Sequence, residues 1–223
     1  MFKSYLPRAF QYYGLIFIVV LFLITAYKLL LVFLILFLFL NFVYRKRVFN
    51  IEEYFDNRDF KESILCPISG YVSKLYSPLF GRYSQRSVCV EITSNLNFET
   101  GLFLPTKSEV KQFVLDTTEG IFNLGYLDYN SLKENFIKSL SVVFSDKYKN
   151  EIILEFPRRI FLPWPRMWMM PGDRGRIGVN IGHLPFGGKV SLYLPKNYEI
   201  LVTTGDKVKA ASTLIAVIRQ ESE

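Results

Sequence analysis

Histidine and cysteine are scarce in this chain of 223 residues, which contains one His and two Cys. Cys66 and Cys89 do not form a metal-ligand spacing, and a single His cannot complete a site. The sequence therefore predicts no metal site, and it predicts free, buried thiols instead of a disulfide.

Charged residues are almost absent between Gly14 and Tyr44, where Lys28 and Asn41 are the only strongly polar side chains. This apolar stretch is about twice as long as the core of a cleavable signal peptide, and no small-residue cleavage pattern follows it. As one helix it would extend about 46 Å, whereas the hydrocarbon core of a bilayer is about 30 Å thick. We therefore interpret it as a permanent membrane anchor.

Lys28 divides the anchor into two short apolar halves, which favours a shallow helical hairpin. One transmembrane helix with an interfacial extension is the alternative. Basic residues flank both outer ends: Lys3 and Arg8 before the stretch, and 45–47 after it. The positive-inside tendency then places both ends on the cytoplasmic side of the cell inner membrane. We predict the anchor over 1–47, a linker over 48–63 and a folded domain over 64–223.

A nucleic-acid-binding motif is also lacking. The net charge is +7, but the basic residues are scattered and are not interleaved with aromatic residues in a stripe. A positive charge of this kind fits anionic lipid headgroups instead, so membrane phospholipid is the expected partner.

Short β-branched and aromatic runs dominate from Ile64 onward, separated by turn residues. We predict strands at 70–75, 87–92 and 189–194, and one helix-like segment at 131–140. No internal repeat is recognised in the sequence. The domain is predicted to be mainly β, with a compact barrel or sandwich-hybrid architecture behind the α-helical membrane hairpin.

Two Gly-Asp pairs mark tight turns, at Gly172-Asp173 and Gly205-Asp206. Each can place the Gly at positive φ while the Asp side chain accepts hydrogen bonds from downstream backbone amides. A turn of this kind before an alternating strand is common in lipoyl and biotinyl carrier domains, and by itself it indicates structure only.

Several segments resemble the membrane-anchored short form of phosphatidylserine decarboxylase. The family pattern is a G-D-x-V-x-x-G turn, then F-G-S-R-V-D-x-Y-L-P, then G-D-x-V-x-x-G-x-T-x-x-A. The matching segments here are 172–178, 186–195 and 205–216, with 158–160 similar to A-R-R-I and 66–70 similar to S-P-A-D-G. The apolar N-terminus that ends in basic residues is also similar, whereas 93–150 aligns poorly.

The resemblance implies a self-made cofactor. In such enzymes the Ser of Gly-Ser attacks the preceding carbonyl, the chain is cut, and a pyruvoyl group remains that serves decarboxylation. The positions that would do this depart from the family here: its Ser falls on Gly188, its Asp on Ser69 and its His near Glu99. Because Gly188 has neither the hydroxyl nor the Cβ, no pyruvoyl group can form there. We expect no catalytic residues and no cofactor, with Ser69, Glu99 and Gly188 as vestigial positions.

Two other features have both a functional and a structural interpretation. His183 has the pKa range of a general base, but no motif pairs it with a nucleophile, so we favour a structural role. The segment 163–171 holds two Trp, three Met and an Arg, and it fits either a lipid-contacting loop or a buried connection. The residues proposed to contact lipid are Trp164, Arg166, Trp168, Arg158 and Arg159.

The sequence thus predicts a pseudoenzyme of phospholipid (phosphatidylethanolamine) metabolism. It would act by binding lipid, or by pairing with an active decarboxylase or with a second copy of itself. One alternative is a membrane-anchored, lipoyl-like adaptor of an export system, although coiled-coil heptads typical of such adaptors are not found. Another is an active decarboxylase with an altered mechanism, although no convergent polar site is evident.

Overall fold

The structure is a computed structural model, and it describes residues 8–23, 27–43, 63–78, 87–125, 137–159 and 162–218. The chain divides into two compact units, Met1–Val48 and Phe49–Glu223. The predicted linker over 48–63 lies outside the described residues except for Ser63, which begins the first strand.

The first unit contains two helices, α1 (Arg8–Leu23) and α2 (Tyr27–Val43). They pack as an antiparallel pair. The rings of Phe17 and Phe33 lie 4.6 Å apart, and the α-carbon of Gly14 lies so close to Phe37 that an added Cβ would be 3.1 Å from its ring. Phe17 contacts Phe33, and the earlier residue Gly14 contacts the later residue Phe37, so the two helices run in opposite directions as a helical hairpin.

Large apolar side chains project outward from both helices, and Tyr13, Ile16, Val32 and Ile35 are each more than half exposed. Among the described residues, neither helix combines the length and the apolar content required to cross a membrane. The alternative of one transmembrane helix is therefore not supported.

The second unit is built from β-strands, which the described residues form in three antiparallel sheets. The predicted strands at 70–75, 87–92 and 189–194 are confirmed. The strands are β1 (Ser63–Leu65), β2 (Gly70–Tyr76), β3 (Ser87–Ser94), β4 (Gly101–Phe103), β5 (Ser108–Thr117), β6 (Ile121–Leu124), β7 (Ile137–Asp146), β8 (Glu151–Pro157), β9 (Arg166–Met167), β10 (Arg174–Gly175), β11 (Asn180–His183), β12 (Gly188–Pro195), β13 (Tyr198–Ile200), β14 (Lys207–Val208) and β15 (Leu214–Ile218).

Two sequence predictions about this unit are wrong. Ile137 and Leu140, which were assigned to a helix over 131–140, lie in strand β7, and the rest of that segment falls outside the described residues. The helical spacing of Leu132, Phe136, Ile137 and Leu140 was ambiguous, because a buried strand is apolar on both faces and lacks strict alternation. The described strands also do not close into a barrel. They form a nine-stranded sheet and two three-stranded sheets.

The hydrophobic core collects side chains from all three sheets. In β7, Leu140, Val142 and Phe144 are fully buried in the main core, whereas Val143 points to a smaller cluster with Tyr193 on the opposite face. Period-two alternation places successive side chains on opposite faces of the sheet. Burial of a side chain such as Phe144 contributes about 2–3 kcal/mol.

The β unit contains an internal duplication that was not recognised in the sequence. The main path of the large sheet is β10-β5-β7-β8-β12-β3-β2-β14. Read from its two ends, this path matches β10 with β14, β5 with β2, β7 with β3 and β8 with β12. The two small sheets, β4-β11-β9 and β1-β15-β13, match each other in the same way. One half comprises β1–β3 and β12–β15, and the other comprises β4, β5 and β7–β11.

Strand register supports the duplication in detail. The β2–β3 pairing has a bulge just after Val72, and the β5–β7 pairing has one just after Val110. Val72 exchanges backbone hydrogen bonds with the turn at 205–206, and Val110 exchanges them with the turn at 172–173. Matching the registers pairs Ser69 with Lys107 and Gly188 with Asn150.

The two Gly-Asp turns are counterparts in this duplication. Gly172 and Gly205 have φ values of 94° and 98°, as predicted. The Asp173 carboxylate accepts a hydrogen bond from the Met170 amide, and the Asp206 carboxylate accepts one from the Thr203 amide, both at 2.7 Å. The bonded amides lie three residues upstream, so the prediction of downstream amides is wrong.

Candidate functional site

Gly188 begins strand β12 after a tight turn. Phe186, Gly187 and Gly188 all have positive φ values, of 62°, 71° and 136°. Gly187 must be small, because a Cβ added there would lie 2.7 Å from the carbonyl oxygen of Ser94. The turn therefore packs closely against the end of β3, where Gly188 pairs with Ser94.

The side chain of Arg159 lies against Gly188. Its guanidinium donates hydrogen bonds to the carbonyl oxygens of Pro185, Gly187 and Pro163. A Cβ added at Gly188 would lie 2.8 Å from the Cδ of Arg159 and 3.1 Å from its Nη1. The space that a serine side chain would need at position 188 is filled by an arginine held at three carbonyl groups.

Burial lowers the pKa of Arg159 to about 10. The guanidinium therefore remains protonated at neutral pH, and its charge is directed to backbone carbonyl dipoles. A cation fixed beside the Gly187 carbonyl links the 159–163 connection to the turn before β12. This role was not recognised from the sequence, which offered Arg159 only as a lipid contact.

Ser94 is the second residue that sequence reasoning passed over. Its side chain is 4% exposed, and no described residue forms a hydrogen bond with its Oγ. It is the hydroxyl-bearing residue that the ladder places opposite Gly188. One feature of the sequence could have drawn attention to Ser94: it begins the segment 94–99, which aligns with the histidine motif of the family.

The other two vestigial positions lie on other connections. Ser69 is buried in the connection between β1 and β2, where its Oγ accepts a hydrogen bond from the Ala210 amide at 3.0 Å. Glu99 is 7% exposed and lies in the connection from β3 to β4. The next residue, Thr100, accepts a hydrogen bond at its carbonyl from the Leu184 amide, which ties this connection to the segment before Gly187.

His183 ends strand β11 and is 4% exposed. Burial, reinforced by the positive charge of Arg166, lowers its pKa to about 4. It is thus neutral at physiological pH, and its ring lies 6.1 Å from that of Trp168. This environment is consistent with the structural role that the sequence favoured.

The residues proposed to contact lipid differ in exposure. Arg158 and Arg166 are exposed, and Trp168 is 48% exposed. Trp164 packs partly against the main core, and Arg159 is committed to the carbonyl groups described above. The two cysteines are free and buried, as predicted.

The sequence profile of the phosphatidylserine decarboxylase family matches residues 136–216. The match covers 81 of the 223 residues, and over them the chain is similar to the phosphatidylserine decarboxylase family. The matched segment runs from the start of β7 into β15, and it includes Arg159, His183 and Gly188.

Curated proteins of the same name are similar over short segments. The phosphatidylserine decarboxylase proenzyme of Desulfotalea psychrophila is 39% identical over 51 residues, which are 23% of this chain and 24% of the relative. The proenzyme of Polynucleobacter asymbioticus is 47% identical over 45 residues, or 20% of this chain and 21% of the relative. The chain thus spans under a quarter of the length of these relatives. No solved structure matches it significantly.

A pyruvoyl group made from residue 188 does not fit this chain. Such a group needs the Cβ of the residue from which it forms, and position 188 is a glycine with Arg159 in the adjoining space. No group of three His, Cys, Asp or Glu side chains in the described residues could hold a metal ion.

Proposed function

We propose that this protein is a non-processing member of the phosphatidylserine decarboxylase family that acts in phospholipid metabolism without catalysing decarboxylation. The observation that carries the proposal is the contact between Arg159 and Gly188. The atoms needed for self-cleavage are missing, and the space that they would occupy is filled. The chain then stays in one piece and forms no pyruvoyl cofactor.

The proposed location is the cell inner membrane, with the β unit on the cytoplasmic side. The antiparallel helices of the first unit expose apolar side chains along their length, as expected for a hairpin that is embedded shallowly among lipids. The net charge of +7 favours attraction to the anionic cytoplasmic leaflet.

Lipid binding is the proposed activity, and the connections between β8 and β10 are the proposed contact. Leu162, Trp168 and Met170 are 40–48% exposed there, and Arg158 and Arg166 supply positive charge. Exposed aromatic and apolar side chains beside arginines suit the headgroup level of a membrane. An active decarboxylase or a second copy of this chain is the further proposed partner.

The two alternatives lack comparable support. An export adaptor would need long helices within the β domain, and the described part of the β unit contains strands and turns only. An active enzyme with an altered mechanism would need a nucleophile beside position 188. Ser94 is the hydroxyl opposite it, but the adjoining Arg159 supplies a cation and no base.

The test uses the full chain reconstituted in nanodiscs that contain phosphatidylserine. We expect no release of carbon dioxide above that of empty nanodiscs, while the proenzyme of Geotalea uraniireducens, a relative 38% identical over 47 residues, serves as the positive control. Turnover by the purified chain would overturn the proposal. Lipid contact is tested in the same sample by tryptophan quenching with brominated lipids, with Trp168→Ala as the variant that should lose most of the quenching.

A further inference from the structure

A groove of about 610 Å³ lies in the second half of the duplication, away from Gly188. It is formed by the start of β5, the β7–β8 turn and β10. Five of its lining residues are cationic, and two carry carboxylates. The cations are Lys107, Lys111, Lys147, Lys149 and Arg174.

Both carboxylates of the groove are engaged locally. Glu109 accepts a hydrogen bond from the Nε of Arg174 at 2.6 Å. Asp146 holds the β7–β8 turn, because its Oδ1 accepts from the amides of Tyr148 and Asn150, each at 2.8 Å. Neither arrangement neutralises Lys107 or Lys149, which are exposed and lie on different segments, before β5 and in the β7–β8 turn. Lys111 is paired with Glu151, whose carboxylate lies 3.0 Å from the lysine Nζ. The five cations still outnumber these three carboxylates, so the groove has an excess of positive charge.

The duplication provides an internal comparison for this groove. Matched registers pair Glu109 with Tyr71 and Arg174 with Lys207. In that other half the ring of Phe98 lies over both counterparts, with its centroid 5.2 Å from the ring of Tyr71 and 5.7 Å from the Nζ of Lys207. One copy of the surface is thus covered by an aromatic side chain of this chain, whereas the lining of the other copy contains no aromatic residue.

From these observations we propose that the groove is a binding site for a phosphate-bearing ligand. Lysine ammonium groups bind phosphate as point charges, and the cavity volume suits a headgroup-sized molecule. The phosphate could belong to a phospholipid headgroup or to a soluble phosphorylated compound, and the experiment below distinguishes these sources. The site is independent of residue 188, so it stands or falls separately from the absence of self-cleavage.

The test is lysine acetylation footprinting of the full chain in nanodiscs, read by mass spectrometry. One arm adds glycerol 3-phosphate to neutral phosphatidylcholine nanodiscs, with sodium chloride added to the control to match ionic strength. The other arm replaces part of the lipid with phosphatidylglycerol. We expect severalfold slower labelling of Lys107 and Lys149 in one arm or both, while Lys196, on the exposed β12–β13 turn, is unchanged.

Protection in the first arm identifies a soluble ligand, and protection in the second arm alone identifies a headgroup. Unchanged labelling of both groove lysines in both arms would overturn the proposal, and so would equal protection of Lys196. As a second measurement, K107E/K149E should weaken the affinity for the protecting probe, glycerol 3-phosphate or phosphatidylglycerol. The expected loss is about tenfold or more for each lysine that contacts phosphate. The matched control K196E/K209E, with both charges outside the groove, should bind as the unmodified chain does.

Discussion

The side chain of Arg159 occupies the space that a side chain on residue 188 would need. The contact is maintained by three carbonyl acceptors on two separate connections, so the arginine cannot easily withdraw. Restoring a serine at this position would therefore meet a steric obstacle as well as the absence of a base.

Gly188→Ser should leave the chain uncut and destabilise it. The new Cβ would lie 2.8 Å from the Arg159 Cδ, at a φ of 136° that favours glycine. We expect a loss of about 2–4 kcal/mol in the free energy of unfolding, measured by urea denaturation in detergent. Gly188→Ala is the matched control and should lose a similar amount. Two fragments from the Ser variant would contradict the account.

Arg159→Ala should destabilise the β unit by about 2–3 kcal/mol, because partly buried carbonyl groups lose a charged donor. Arg158→Ala is a suitable control at an adjacent exposed arginine and should change stability by no more than about 0.5 kcal/mol. Equal effects of the two variants would show that Arg159 does not anchor this turn.

Stability should fall as the pH is lowered from neutrality, because of His183. Its pKa is about 4 when folded and 6.5 in the unfolded reference, so only the unfolded chain takes up the proton between these values. The stability contributed by neutral His183 is fully present above about pH 6.5 and lost on the way down to pH 4. The loss is roughly 3 kcal/mol. His183→Gln should remove this component from unfolding curves between pH 7 and pH 4.5, and an unchanged slope would refute the assignment.

The duplicated turns should respond equally to the same substitution. Gly172→Ala and Gly205→Ala each add a methyl group to open space at positive φ, so only the backbone penalty of about 1–2 kcal/mol applies. The double variant should show the sum of the two effects, since the turns are bonded to separate strands. Gly125→Ala, also in open space but without positive φ, should be neutral or slightly stabilising. A large difference between the two turns would contradict their equivalence.

Both thiols should resist modification in the folded chain. Burial raises the pKa of Cys66 to about 12 and that of Cys89 to about 11, so almost no thiolate exists at neutral pH. Iodoacetamide should label neither residue until the β unit is unfolded in urea. Rapid labelling of either one under native conditions would show that it is accessible.

The strands and turns were predictable because their signals are local. Alternating runs such as 189–194 and the Gly-Asp pairs specify backbone conformation within a few residues. The helix prediction was wrong at 137–140, because the apolar residues of β7 are buried on both faces, which removes the alternation that distinguishes a strand. The duplication was missed because it is conserved in register and bulge position, while few residue identities repeat beyond the Gly-Asp pairs at 172–173 and 205–206.

The candidate site was predictable only at Gly188, where a family motif contains an unexpected residue. Ser94 is distant from it in sequence, and only strand pairing brings the two together. The role of Arg159 depends on the fold of two connections. Its three partners are backbone carbonyl groups, which every residue has, so the sequence does not identify them. The basic groove likewise combines residues from β5, β10 and the β7–β8 turn, whose lysines look scattered in the sequence.

The central claim is that the chain does not cleave itself, and its most direct test is the intact mass of the purified full-length protein. The account predicts one species of 26.1 kDa, unchanged after prolonged incubation at neutral pH. Two fragments separated between Gly187 and Gly188 would contradict it.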